Sequence, residues 1–509
     1  MIRFAARCGI ALLTLAFALA GAELAIRRID GWPAWGRLPL SEHAVDEATT
    51  RASDRPDRQY VGRIALAEGV SPDWYEQNPP AQPRIPMTPD IAARAAKYSA
   101  HIYEAFTVWN RGFLNLQVCS GVTDYGLGDL QDEYVFTSTE PGMYPIYRNL
   151  PSVSPPGWFV TNRFGWRGRD LDVNKDGKTI RIAFVGASTT VGAYYLPFSY
   201  PELVDAWLNR WLEAQHIDAR VEVINAARSG IDTDSISAIV RQEVAPLEPD
   251  LVVHYEGANN FSPRSTIQVP ERWMRERPRV TFRPPSEIEQ VSALARRLTS
   301  FGVRFAATDG REPAKGVYPL VWPRGVDEQA PDPDAALPMH LDHVVRSLDS
   351  MRTATEAAGG EFALASFVWM VPEPRVPLDL TRHRDLYLYL NRTLWPASYA
   401  HVRRMADFQN RVFKAYAGKR HAGYLEVAAA LPQDPDLFGD PIHMGLPGLR
   451  LQAWIMLQQL VPWMRARIAD GRLPRKMRTP LASHPAFAAD PRRLVSISDV
   501  RAACPKPGQ

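Results

Sequence analysis

After residue 178, the hydrophobic pattern alternates between short apolar runs and stretches of helical periodicity. The apolar runs predict strands at residues 180–185, 221–224, 251–255, 362–371 and 424–427. The periodic stretches predict helices at residues 199–215, 233–244, 341–357, 401–417 and 446–468. Strands that are apolar throughout and alternate with helices are typical of a parallel sheet covered on both faces. The pattern therefore predicts an α/β domain with a five-stranded parallel sheet.

The first thirty residues have the layout of an export signal. Arg3 and Arg7 precede an uncharged stretch over residues 8–22, and Ala18-Leu19-Ala20 is similar to a small-residue cleavage site. An uncleaved membrane anchor is the alternative, since a spanning helix needs about 17–25 residues and reaches that length here only by tolerating Glu23. We expect an exported chain, periplasmic or anchored with its main domain outside the cytoplasm. The sequence is compatible both with a cleaved leader and with an uncleaved one.

Changes in composition along the chain divide it into four regions. Residues 38–156 are irregular and rich in Pro, Asp and Tyr, with one helix predicted at 89–109. A stretch rich in Arg and Pro interrupts the strand–helix alternation after the third strand, and the last forty residues have no strong period, which predicts a solvated tail. We expect the following division: a signal or anchor at 1–30, an accessory region at 31–160, the α/β domain at 161–469 with an insertion at about 262–338, and a tail at 470–509.

Composition excludes several classes of protein. The 509 residues are 46% hydrophobic and 23% charged, which excludes a wholly disordered chain. With 59 Lys and Arg against 56 Asp and Glu, the net charge of +3 argues against a dedicated nucleic-acid binder. Outside the leader the cysteines are Cys119 and Cys504. In an exported chain they could pair, or both could be free thiols; the sequence leaves both open.

Candidate catalytic residues follow successive predicted strands. Ser188 lies after the first strand, Gly230 after the second, Asn259 after the third, and Asp440 and His443 after the fifth. Each has an ordinary structural explanation alone, as a helix cap, a turn former or an exposed histidine. Because the carboxyl ends of parallel strands share one edge of the sheet, where open α/β sheets bind ligands, coincidence is the poorer explanation for the set.

Four sequence blocks carry a resemblance to a known family. They are Gly186-Ala-Ser-Thr-Thr190, Asn225-Ala-Ala-Arg-Ser-Gly230, Gly257-Ala-Asn-Asn260 and Asp440-Pro-Ile-His443. Together they resemble the SGNH hydrolase superfamily, the GDSL-like esterases and lipases, over roughly residues 179–468. Residues 161–168 are similar to the lead-in of membrane-anchored members. Ala187 replaces the usual Asp of the first block, and Asn260 replaces the usual acidic residue of the third.

The resemblance implies a flavodoxin-like three-layer αβα sandwich and a role for each block. Ser188 would be the nucleophile, His443 the general base and Asp440 the residue that orients it. The backbone N–H groups of Ser188 and Gly230, with the Asn259 side-chain amide, would form the oxyanion hole. These residue types suit the chemistry, because a serine hydroxyl needs an adjacent base and a carboxylate fixes the tautomer of that base.

The function expected from these residues is cleavage of carboxylic esters, with O-acetyl or other short acyl groups. An exported O-acyltransferase acting on an envelope glycan, and a non-catalytic envelope protein that kept the fold, are the alternatives. We expect no cofactor and no metal: residues 172–177 begin like a calcium loop, but position twelve is Ala183 rather than a bidentate Glu. The expected partner is an ester-bearing small molecule, lipid or glycan, with membrane association through the N-terminal segment and no nucleic acid.

Overall fold

The computed structural model describes the greater part of the chain. The described residues are 2–29, 34–35, 55–83, 134–137, 160–192, 196–261, 269–275, 288, 291–300, 320–327, 331–373, 378, 383–487, 493–496, 502 and 504. The helix predicted at 89–109 and Cys119 lie outside these residues.

The strands form two sheets. They are β1 Tyr134–Thr137, β2 Thr179–Gly186, β3 Arg220–Asn225, β4 Leu251–Tyr255, β5 Glu361–Ala365, β6 Gly423–Leu425 and β7 Arg493–Ser496. β1 and β7 pair antiparallel, while the other five form one parallel sheet in the order β3-β2-β4-β5-β6. This is the flavodoxin-like order, in which the chain reverses its direction of travel between β2 and β4. The five-stranded parallel sheet predicted from the sequence is confirmed.

Helices cover both faces of the parallel sheet. They are α1 Ile2–Ile29, α2 Arg58–Val61, α3 Ser188–Val191, α4 Tyr200–Ala214, α5 Thr233–Ile239, α6 Glu271–Arg275, α7 Ala293–Ser300, α8 Leu341–Ala357, α9 Arg384–Leu388, α10 Tyr399–Arg420 and α11 Leu446–Ala469. Helices α4 and α11 pack together on one face, and α5, α8 and α10 pack on the other. Single 3₁₀ or π turns lie at Pro72–Glu76, Val240–Val244, Ala245–Leu247, Ala258–Asn260, Tyr389–Thr393, Pro435–Leu437 and Pro485–Phe487.

Helix α4 shows why the sequence pattern located the helices well. Ser199 and Glu202 form a capping box at its start, and Pro201 lies in its first turn, where a missing N–H costs nothing. Leu203, Trp207 and Trp211 then recur on one face and are buried against the sheet and α11. The capping residues and the apolar period thus indicate the same helix. Its ends lie within one residue of the predicted bounds.

The strand predicted at residues 362–371 is too long. Strand β5 ends at Ala365, and residues 366–371 continue as a buried segment in which the Ser366 N–H still donates to the Leu425 carbonyl of β6 at 2.9 Å. Its Met370 N–H donates to the Pro441 carbonyl at 2.6 Å instead of to a strand. An apolar run reports burial rather than strand pairing, so the sequence could not show where the segment leaves the sheet.

Part of the predicted accessory region belongs to the core of the α/β domain. Tyr75 stacks on Trp207 with ring centroids 6.3 Å apart and meets Trp454 edge-on at 5.4 Å. Its hydroxyl donates to the buried Asp57 carboxylate, and Arg450 of α11 donates to the Tyr75 carbonyl at 2.7 Å. Residues 55–83 therefore cover the outer side of α4 and α11.

The start of the C-terminal tail also packs on the domain, which the prediction of a solvated tail missed. Arg475 donates to Asp250 at 3.1 Å and contacts Glu248, next to the start of β4. Phe487 meets Trp166 edge-on, with ring centroids 5.6 Å apart. Farther along, Cys504 is disulfide-bonded. Charged residues without a period suggested solvent exposure, but here the charges have buried partners.

Helix α1 stands largely apart from the sheet and touches the insertion. Within it, residues Gly9–Ile29 have the length and the hydropathy, 2.0, to cross a membrane; signal sequences share these properties. The Glu23 carboxylate accepts hydrogen bonds from the Ser292 hydroxyl at 2.9 Å and from the N–H groups of Ala293 and Leu294 at 2.8 Å each. It therefore caps the N-terminus of α7 from another element of the chain.

We expect Tyr75→Ala to destabilise the α/β domain by about 3–5 kcal/mol, because it empties a buried aromatic site between two tryptophans. Chemical denaturation monitored by Trp fluorescence measures the change. Trp35→Ala is the matched control, since the Trp35 ring is 81% exposed and its loss should change stability by no more than about 0.5 kcal/mol. Equal stability of the two variants would mean that residues 55–83 contribute nothing to the core.

Candidate active site

Ser188 lies at the carboxyl end of β2, on the first residue of helix α3. Strand β2 ends at Gly186, buried Ala187 precedes the helix, and Ser188 begins it. The first N–H groups of a helix have no partner within it, so the Ser188 N–H can donate to a ligand.

Two bonds tie this turn to the neighbouring strands. The Thr190 hydroxyl donates to the carbonyl of Tyr255, the last residue of β4, at 3.1 Å. Asn225, the last residue of β3, donates its side-chain amide to the Thr190 carbonyl at 2.9 Å. A single turn of helix is thus held from both sides, which fixes the position of Ser188.

Arg167 holds the segment that follows Ser188. Its buried guanidinium donates to the Val191 carbonyl at 3.3 Å and the Leu196 carbonyl at 2.8 Å, and it pairs with Glu202 of α4 at 3.1 Å. This contact explains the position of the lead-in, residues 161–168, which the sequence could associate with the site only by resemblance. The sequence did not reveal that Arg167 helps to build the site.

Asp440 and His443 lie on a short loop between the Pro435–Leu437 turn and α11. One carboxylate oxygen of Asp440 accepts the N–H groups of Ile442 and His443 at 2.8 Å each. The His443 carbonyl in turn accepts the N–H of Gly439 at 2.9 Å. These bonds close the loop on itself, so the carboxylate and the imidazole are set by the same few backbone atoms.

The structure brings Ser188, His443 and Asp440 into one line of hydrogen bonds. The His443 Nε2 atom lies 2.7 Å from Ser188 Oγ, and His443 Nδ1 lies 2.6 Å from Asp440 Oδ2. The exposed fractions of the His443 and Asp440 side chains are 36% and 22%, so the imidazole is open to a ligand while the carboxylate lies behind it. Such a line lets the imidazole take a proton from the hydroxyl.

The electrostatics of Asp440 favour its charged form. Burial opposes ionisation, but the charge and hydrogen bond of the His443 ring and the N–H donors outweigh it and lower the pKa of Asp440 below its usual range. The carboxylate therefore stays ionised at neutral pH and can stabilise a protonated His443 ring.

Gly230 and Asn259 lie at the same edge of the sheet and are joined to each other. Gly230 has φ +73°, a backbone conformation that favours glycine, and its surroundings are open. The Asn259 Nδ2 atom donates to the carbonyl of Ile231, the residue that follows Gly230, at 2.8 Å. An amide nitrogen carries two hydrogens, so one remains for a ligand. The neighbouring residue, Asn260, donates its side-chain amide to the Thr233 hydroxyl at 2.6 Å.

Two further groups near His443 were not singled out from the sequence. Glu256, just after β4, is 1% exposed, and burial raises its pKa to about 8 against the opposing effects of two backbone N–H donors and of His443. Burial, with the charges of Asp440 and Glu256, also raises the pKa of Tyr389. Neither residue belongs to a recognisable sequence motif. They stand out only through burial and through contacts with residues that are distant in the chain. Within the described ranges, no group of three or more His, Cys, Asp or Glu side chains is arranged to hold a metal ion.

The chain is similar to several solved structures at low sequence identity. One is a GDSL-like lipase from Bacteroides thetaiotaomicron, with 13% identity over 56% of this chain and 89% of the lipase, at a TM-score of 0.28. Another is an acetylxylan esterase from Geobacillus stearothermophilus, with 15% identity over 57% of this chain and 96% of the esterase, at a TM-score of 0.32. No family model and no curated protein match the chain. At these TM-scores the similarities add nothing to what the sheet and the side chains support.

We expect Asp440→Asn to lower the pH at which the His443 ring loses its proton, because the protonated ring loses an ionised partner. Titration of the His443 ring signals by NMR measures the midpoint. Asp436→Asn is the matched control: Asp436 bonds the His383 ring at 2.9 Å, so this change should leave the His443 midpoint where it is. An unmoved His443 midpoint in Asp440→Asn would contradict the pairing.

Proposed function

We propose that this chain is a serine hydrolase that cleaves carboxylic esters through an acyl-serine intermediate. The observation that carries the proposal is the line of hydrogen bonds from Ser188 Oγ through the His443 ring to Asp440 Oδ2. A structural serine or a surface histidine needs no such line, whereas a serine nucleophile needs an adjacent base and an orienting group.

In the first step, Ser188 attacks the ester carbonyl carbon. His443 Nε2 takes the hydroxyl proton as the bond from Oγ to carbon forms, and the carbonyl oxygen becomes an oxyanion. Asp440 holds the Nδ1 proton, which keeps Nε2 free to accept, and its charge stabilises the imidazolium that results. The lowered pKa of Asp440 supports this role, since the carboxylate remains ionised while the ring gains its proton.

Three donors are available for the oxyanion. They are the backbone N–H groups of Ser188 and Gly230 and the second hydrogen of the Asn259 amide. The bond from Asn259 to the Ile231 carbonyl keeps two of these donors at a constant separation. Fixed donors aimed at developing charge lower the barrier without reorganisation during the reaction.

Collapse of the intermediate releases the alcohol and leaves an acyl group on Ser188. The imidazolium gives its proton to the departing alkoxide, so the alcohol leaves neutral. A water molecule then gives its proton to His443 and attacks the acyl carbon; the second collapse returns the proton to Ser188 Oγ and releases the carboxylic acid. Atoms and protons balance over the cycle, and no cofactor is consumed.

The proposed substrates are esters of acetate or another short acid, presented outside the cytoplasm on a small molecule, lipid or glycan. The apolar helix α1 supports export or attachment to a membrane. A series of p-nitrophenyl esters of increasing acyl length, compared by kcat/KM, defines the acyl preference directly.

We expect p-nitrophenyl acetate to give a burst of p-nitrophenol and an acetyl group on the peptide that contains Ser188, found by mass spectrometry. Ser188→Ala and His443→Ala should each abolish turnover without loss of far-UV circular dichroism. Ser347→Ala is the matched control, because the Ser347 hydroxyl of α8 bonds Asp234 of α5 and takes no part in the line of hydrogen bonds from Ser188 to Asp440.

Turnover retained by Ser188→Ala would overturn the proposed function. The expected product is free acetate, with or without an added glycan acceptor. Acetylated glycan would instead identify an acyltransferase.

We expect Asn259→Ala to lower kcat by roughly 100- to 1000-fold with little change in KM, because the amide acts on charge that develops only in the transition state. Steady-state kinetics with the same ester measures both constants. Asn260→Ala is the neighbouring control and should lose much less, since its amide bonds Thr233. An effect on KM alone would place Asn259 in ground-state binding.

A further inference from the structure

Glu256 is a buried carboxyl group at the site for which the proposed mechanism has no use. It directly follows β4 and precedes Gly257-Ala258-Asn259, and it is 1% exposed. In the part of the chain that the structure describes, no Lys or Arg forms an ion pair with it. Burying a carboxyl without a cation is costly, so its position calls for an explanation.

The hydrogen bonds of Glu256 point to Asn259. Its Oε1 atom accepts the Asn259 N–H at 2.7 Å, and the Gly257 N–H is a further donor to the carboxyl. The Asn259 side chain is bonded on its other side to the Ile231 carbonyl. Asn259 is thus held through its backbone by one residue and through its amide by another.

The turn that Glu256 closes has no room to move toward α10. A Cβ atom on Gly257 would lie 2.4 Å from Gln409 Nε2 and 2.7 Å from Phe367 Cγ, so the backbone here is pressed against α10 and the segment after β5. The bond from the Asn259 N–H to Glu256 opposes displacement of the Asn259 backbone, and the bond to the Ile231 carbonyl opposes displacement of its side chain. Small displacements of an oxyanion donor are expensive, since about 1 Å can cost roughly 100-fold in rate.

Burial and the surrounding charges affect whether the Glu256 carboxyl group is ionised. His443, on the loop before α11, favours the ionised carboxylate, while Asp232, before α5, opposes it; Tyr255 of β4 and Tyr389 of the turn after α9 are the other titratable groups nearby. Burial outweighs the favourable contributions and raises the pKa of Glu256 to about 8. Burial thus disfavours the charged form of Glu256, while its Oε1 atom accepts the Asn259 N–H in either form.

We propose that Glu256 is a positioning residue: through its bond to the Asn259 N–H it holds the Asn259 amide where the oxyanion forms, and it acts through Asn259 rather than through His443. The inference rests on the proposed function. It gives Glu256 a task separate from that of Asp440, although both carboxyl groups lie near the same imidazole.

A double-mutant cycle tests the positioning. Glu256→Ala should lower kcat about 100-fold with KM nearly unchanged, and Glu256→Ala combined with Asn259→Ala should be no slower than Asn259→Ala alone. Losses that multiply in the double variant would overturn the proposal. If Glu256→Ala does not fold, Glu256→Met takes its place, because Met fills the same space and cannot accept the bond.

Glu256→Gln tests whether the hydrogen-bond acceptor at residue 256, rather than a charge beside His443, is responsible for the effect. Its carbonyl oxygen can still accept the Asn259 N–H, so kcat should return to within about tenfold of the wild-type value. The acidic limb of the kcat/KM profile should not move, because a positioning role depends on the acceptor atom that holds Asn259 and not on a charge beside His443. A limb shifted to lower pH, as Asp440→Asn should give, would show that Glu256 acts as a second charged partner of His443 and would overturn the proposal.

The two proposals fail in different ways. If Ser188→Ala keeps wild-type turnover, the proposed function itself is wrong. If Ser188→Ala is inactive but the cycle is additive or the Glu256→Gln limb shifts, the function stands and only the role of Glu256 is wrong.

Discussion

The close approach of Gly186 to β4 is the constraint on which the candidate site depends. A Cβ atom at this position would lie 2.3 Å from both the Tyr255 carbonyl oxygen and Thr190 Oγ1. Because glycine leaves that space empty, the Thr190 hydroxyl can cross to β4 and the helical turn can begin at once. Ser188 therefore stands at the point where the sheet reverses its order, between the ends of the strands that carry Gly230 and Asn259. Any larger residue at 186 would displace the turn and Ser188 with it.

The sequence predicted those parts of the molecule that local chemistry determines. Ser188 and His443 could be located because each follows an apolar strand in a recognisable block, and α4 because its cap and its apolar face agree. The contributions of Glu256 and Arg167 could not be predicted, since each depends on contacts with residues distant in the chain. The same applies to Tyr75, which lies in an irregular stretch and yet packs between tryptophans of two helices. An apolar pattern indicates burial. Because residues 366–371 are buried, they were predicted as part of a strand, although they lie outside it.

The site contains two carboxyl groups whose surroundings act on them in opposite directions. Asp440 accepts bonds from the His443 ring and from two N–H groups, and its pKa is lowered. Glu256 also accepts backbone N–H bonds, but it is more deeply buried and its pKa is raised to about 8. Burial and hydrogen-bond partners thus shift the pKa values of two carboxyl groups at one site in opposite directions.

The cap that α1 provides for α7 has a consequence for maturation of the chain. Glu23 and its partner Arg27, which also donates to the Val291 carbonyl, both lie after Ala18-Leu19-Ala20. A peptidase that cut there would remove the apolar part of the helix and leave the contact with the insertion intact. A shed form and a tethered form would share the same folded body and differ only in how far they can diffuse from the membrane.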